Sequence, residues 1–154
     1  MYTLEQFHWV PVVYPALAFM GGGASTDIVR CESAVGVLFQ ITKGVGLAGT
    51  SVVTIQACST VGPGAVAAVA FMHRVSTTPD IWGAWIQDLA AGFTTTAGSN
   101  QMYQVFVPAA NLAAVGYAYV RLTWAAAVVG DVAGCINAAV VQPRYQPVPA
   151  TLLT

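Results

Sequence analysis

A chain of 154 residues with 56% hydrophobic side chains, 7% charged side chains and a formal net charge of -1 holds one domain with a real core and has little room for two. An ordinary soluble domain has about a quarter of its residues charged, so this exterior is short of ions, and such chains associate readily. The balance also lacks the basic excess with which nucleic-acid binders hold phosphates.

Taken in order, Met1 to Gly23 reads as an extended arm. Pro11 and Pro15 forbid a regular helix or a central strand, yet Phe7, Trp9, Val12, Val13, Tyr14, Leu17 and Phe19 are too apolar for a free tail. The arm must therefore lie against its own domain or a neighbouring subunit. Domain boundaries are expected at an arm 1–25, a β domain 26–142 and an extended tail 143–154, and deleting residues 1 to 20 is expected to leave the β domain folded. The uncharged run Trp9 to Thr26 is broken by Pro11, Pro15 and Gly21-Gly22-Gly23, and no Lys or Arg precedes it. It reads neither as a membrane helix nor as a secretory leader. Gly, Pro, Thr, Ser, Gln and Asn throughout Leu89 to Val120 likewise argue against a membrane span.

Asp27 to Glu32 predicts a short strand, and Val37, Phe39 and Ile41 alternate with Leu38, Gln40 and Thr42 in a second. A loop is expected over Lys43 to Thr50, followed by a third strand, Val52 to Cys58. Within that loop, Gly44-Val45-Gly46-Leu47-Ala48-Gly49 matches G-x-G-x-x-G. A dinucleotide site would need a helix next and an acidic residue about twenty positions on. Here a β-rich run follows and no Asp or Glu lies between Glu32 and Asp80, so the motif reads as a glycine hairpin loop.

Ala65 to Gly92 reads as strand, turn, strand, the pair around which the other strands stack. Val69, Phe71, His73 and Val75 face one way and Ala70, Met72, Arg74 and Ser76 the other, and Ile81, Trp82, Trp85 and Ile86 follow the turn Thr77-Thr78-Pro79-Asp80. Trp82 and Trp85 supply apolar area for a second layer or a subunit contact, with a sugar-stacking platform as the alternative. Further on, Gln101 to Val107 is a sixth strand, Pro108 to Val115 a helical turn ended by Gly116, Tyr117 to Ala126 a seventh strand, Gly130-Asp131 a turn, and Gly134 to Val141 an eighth. About eight short strands and no long helix predict an all-β, antiparallel β-sandwich or barrel.

Little in the chain points to catalysis. Only His8 and His73 are of a residue type that could act as a base near neutral pH. Ser76, His73 and Asp80 can be written as a triad, but no nucleophile elbow or oxyanion signature accompanies them. No two of His, Cys, Asp and Glu stand at metal-ligand spacing. Cys31, Cys58 and Cys135 form no CxxC pair and read as small buried apolar side chains. Arg74, Arg121 and Arg144 are each expected to have an internal carboxylate or carbonyl partner. The expectation is a non-enzymatic protein with no catalytic, cofactor or metal site.

Several segments, in this order, resemble a family of tailed-bacteriophage capsid cement or decoration (minor capsid) proteins. They are Glu5-Gln6-Phe7-His8-Trp9-Val10-Pro11, Asp27-Ile28-Val29, Lys43-Gly44-Val45-Gly46, Ala70 to Thr77 leading to Trp82-Gly83-Ala84, Tyr117 to Arg121, and Pro143-Arg144-Tyr145. The chain departs from the family in having fewer acidic residues, notably at Pro108 to Leu112. The resemblance implies a jelly-roll-like sandwich in the virion, assembled in the host bacterial cytoplasm. Its implied partners are the major capsid protein lattice and copies of itself, with no direct contact to nucleic acid or membrane. The residues expected at the protein interface are Phe7, Trp9, Val12, Tyr14, Trp82, Trp85, Arg144 and Tyr145. A tail or tail-tube subunit and a carbohydrate-binding sandwich module are the alternatives.

Overall fold

In the long strands, alternate side chains are buried. Val37, Phe39 and Ile41 are fully buried, as are Val53 and Ile55, Val105 and Val107, and Val120 and Leu122, while the residues between the members of each set are only partly covered. Period-two burial of this kind makes a layer with one dry face and one open face, and two such layers close on each other. The computed structural model of the chain describes residues 7–46, 49–78 and 81–141. It is an antiparallel β-sandwich.

The elements are β1 (Phe7–Ala16), β2 (Ala24–Ser25), β3 (Val29–Arg30), β4 (Gly36–Gly46), β5 (Thr50–Cys58), β6 (Val66–Ala68) and β7 (Phe71–Ser76). After these come β8 (Ile86–Asp88), β9 (Phe93–Thr94), β10 (Gln101–Pro108), the short helix α1 (Ala109–Ala113), β11 (Tyr119–Val128) and β12 (Val132–Val141). The first sheet runs β1-β12-β4-β10-β7-β8. The second runs β2-β11-β5-β6, with β3 also on β11 and β9 also on β5. Between them lie Phe39, Ile41, Ile55, Tyr103, Leu122 and Ile136.

Several expectations are corrected by this layout. Residues 7–25 are not an arm. β1 is the edge strand of the first sheet, paired with β12 from Phe7↔Val141 to Ala16↔Gly134. Val12, Phe19 and Met20 belong to the core, so the sandwich does not begin at residue 26. The prolines fit because an edge strand can forgo a ladder donor, and the register shifts on either side of Val13 absorb the irregularity. The segment expected at 143–154 lies outside the described residues.

The stretch Ala65 to Ser76 is two strands. β6 pairs with β5 in the second sheet, and β7 pairs with β10 in the first. The chain changes layer at Val69–Ala70. The hairpin expected at the centre is the far edge of the first sheet, and its second arm shrinks to β8. The centre belongs instead to β4, bonded to β12 on one side and β10 on the other.

The glycine motif is no hairpin either. β4 and β5 lie in different sheets, so they are not the two arms of one hairpin. A Cβ on Gly46 would stand 2.5 Å from Asp131 O, and one on Gly49 2.5 Å from Gly130 O. Glycine is needed there because these two positions pack directly on the β11–β12 turn. Gly130-Asp131 likewise joins strands of different sheets. Among the described residues, no helix is long and apolar enough to span a membrane.

Candidate functional site

The outer face of the first sheet is turned away from the chain's own second layer. It can be read from the register row by row. Asn137, Gln40, Gln104 and Arg74 stand side by side on β12, β4, β10 and β7, and Ala139, Leu38, Phe106 and Met72 form the adjacent row. Across these rows there are amides, methionine, aromatic and aliphatic groups, and one charge, Arg74. A shallow hollow of about 340 Å³ lined by Trp9, Gln40 and Asn137 lies toward the β1 edge. Trp and Met enriched, Lys and acid depleted, with one Arg: this is the composition of the buried centre of a protein interface.

The sheet keeps this face nearly free of ions by taking two of the chain's charges inside. Lys43, expected in a loop, is an inward-facing residue of β4 at 1% exposure. Its Nζ donates to Thr96 O at 2.7 Å and to Gly49 O at 3.3 Å, and burial holds its pKa below the usual lysine value. Around it Thr96, Gln101 and Tyr103 bond to one another: Thr96 N–H donates to the Tyr103 hydroxyl at 3.0 Å, and that hydroxyl donates to Gln101 Oε1 at 2.9 Å. This polar network joins the β4–β5 and β9–β10 connections at one end of the sandwich.

His73 and Asp88, also buried, hydrogen-bond through Nδ1 and Oδ2, and the His73 ring stacks on Phe93 with centroids 3.9 Å apart. The partner of His73 is thus Asp88. Ser76 Oγ donates to Thr78 O at 2.8 Å, and Asp80 lies outside the described residues. The Ser76–His73 pair is not assembled as a nucleophile and base. Among the described residues, no three of His, Cys, Asp and Glu gather into a metal site.

The residues expected at an interface fall in three groups. Trp9, Tyr14 and Trp85 are exposed, at 46%, 72% and 42%. Trp82 is half-buried beside Trp85, and the central guanidinium carbon of Arg74 lies 4.8 Å from the ring centroid of Trp82 and 4.6 Å from that of Trp85. Hence the tryptophans do not close a second layer; they sit outside, over Arg74. Val12 is 4% exposed and belongs to the core, so it is removed from the interface set. Phe7 opens β1 opposite Val141, and Arg144 and Tyr145 lie outside the described residues.

Sequence reasoning missed Leu38, Gln40, Met72, Met102, Gln104 and Phe106 as members of this surface. Alternation does mark them as the outward set of their strands; what it lacks is the strand order that brings them together. The expected partner of Arg74 was a carboxylate or carbonyl, and it is a carbonyl: the side-chain amide oxygen of Gln104, while Arg121 on the second sheet is held in the same way by that of Gln56.

The three thiols are free. Cys31 and Cys58 are buried as expected, while Cys135 is half-buried on β12. Burial raises the Cys31 thiol to about 11, and raises Cys58 against the opposing pull of Arg121. A thiol-reactive dye at pH 8 should therefore label Cys135 first and the other two only as fast as the chain unfolds. Prompt labelling of all three would contradict this packing. Because folding holds the Cys31 proton that the unfolded chain releases from about 9, the associated stability is complete below that pH and disappears as pH climbs toward about 11.

Compared with known proteins, the chain matches no family model and no curated protein. Among solved structures, the crystal structure of the SPBc2 prophage-derived protein YomS matches with a TM-score of 0.50 and 12% sequence identity, over 88% of this chain and 93% of that one. At that identity the likeness is one of fold.

Proposed function

We infer that the chain is a non-enzymatic structural protein of a bacteriophage virion, binding and stabilising the capsid lattice as a cement, decoration or minor capsid protein. The observation that carries this reading is the outer face of the first sheet: six strands wide, apolar and amide-rich, with Arg74 as its one charged group among the described residues. The whole chain has only five basic and six acidic residues, and two of those, Lys43 and Asp88, are inside. An exterior so poor in ions suits a protein whose working state is covered by neighbouring subunits. Shared architecture with a prophage-derived protein supports a phage setting. Each copy needs only a modest contact, because repetition around a closed shell multiplies weak contacts.

The test is light scattering on the purified chain, then its addition to phage shells that lack it. Saturable binding to shells, with a rise in their resistance to heat, is the expected result. Self-assembly into tubes would move the protein to the tail, and a monomer that ignores shells and binds glycans would overturn the assignment.

A further inference from the structure

Arg74 is held in a fixed pose with no carboxylate against it among the described residues. Its Nε and Nη2 both donate to Gln104 Oε1, at 2.8 and 2.6 Å, across a register pair of β7 and β10. The rings of Trp82 and Trp85 both lie against its guanidinium. The ion pairs among the described residues are Arg30–Glu32 and His73–Asp88, so none of the described carboxylates neutralises Arg74. A guanidinium has five N–H donors. Two are spent on Gln104, and the remaining three include the Nη1–Nη2 fork, the edge that matches both oxygens of a carboxylate.

Arg121 provides an internal comparison. Its Nε and Nη2 make the same clamp to Gln56 Oε1, at 2.9 and 2.8 Å, but among the described residues its guanidinium has no aromatic ring against it. The clamp is therefore common to both outer faces, and the tryptophans are particular to Arg74. Indole rings exclude water from the cation and lower the dielectric around it, which strengthens any ion pair formed there.

We propose that Arg74, held by Gln104 against Trp82 and Trp85, is the anchor with which this face takes an Asp or Glu side chain of a partner protein. The proposal rests on the reading of the face as a docking surface and names the chemistry it selects. A phosphate backbone is the poorer match, since it calls for a run of cations and this face has one. A carboxylate set among apolar side chains matches it, as Arg and Trp are the residue types that dominate interface energetics.

The full-length chain, immobilised, would be used to select binders from a random twelve-residue peptide library. The recovered peptides should share an Asp or Glu flanked by apolar residues. A synthetic copy should lose at least tenfold in affinity for Arg74→Met, and lose the same when its own acid is changed to the amide, with the two losses not adding. Arg121→Met should bind as the parent does. Should Arg74→Met fail to fold by circular dichroism, Arg74→Lys, which keeps the charge and loses the fork, should still show a clear loss. Recovery of peptides with no acidic preference, or binding indifferent to Arg74, would overturn the proposal. So would an Arg74-dependent affinity for a single-stranded oligonucleotide. Shell binding that survives Arg74→Met would sink the anchor and leave the capsid reading standing; capture of acidic peptides without shell binding would do the reverse.

Discussion

Removing residues 1–16 should abolish the cooperative unfolding transition, instead of trimming a dispensable arm. The deletion strips β1 from the full length of β12, takes Val12 out of the core, and leaves the β12 edge unpaired. Val12 alone contributes about 1.5–3 kcal/mol by burial, and each ladder hydrogen bond adds about 0.5–1.5 kcal/mol. The sum approaches the whole stability of an ordinary domain, about 5–15 kcal/mol. Circular dichroism against temperature checks this. A truncated chain that melts sharply within a few degrees of the parent would show that β1 is an accessory. Aggregation is the expected accompaniment, because the bared β12 edge is long and uncharged.

Phe71→Ala should cost about 3–5 kcal/mol. Phe71 is 1% exposed and packs at 6.2 Å, tilted, against Phe93, which in turn stacks on His73. Truncation leaves a cavity between β7 and β9 that neither sheet can fill without breaking its ladder. Phe106→Ala, on the outer face of β10 and only half-buried, should cost distinctly less. Urea titration of the two variants distinguishes inside from outside directly. Equal losses would mean that the burial assignment of β7 and β10 is wrong.

These two results bear on what the chain discloses before it folds. β4, β5, β10 and β11 were legible because each buries one face: Phe39, Ile55, Val105 and Leu122 sit at the same parity as their apolar neighbours. β1 was obscured by Pro11 and Pro15, which exclude a central strand but are compatible with an edge. The break at Val69–Ala70 was hidden because alternation continues unbroken from β6 into β7 while the chain changes sheet. Lys43 looked like a loop residue, since nothing local announces that Thr96 O, fifty-three positions away, will receive its ammonium group. His73 and Asp88 were likewise separate until β7 met β8. The tryptophans at 82 and 85 were identified as interface candidates by type, but Arg74 beside them was visible only in three dimensions. Each miss concerns a contact between distant segments, and patterns within one strand do not encode those.

The position of β4 also dictates when this protein can fold. Both of its hydrogen-bonding neighbours, β10 and β12, are made long after it. During synthesis a ribosome therefore holds out a long, sticky ribbon with two open edges and nothing to pair it. Such late closure makes for slow maturation and a window for clumping before the two edges are paired.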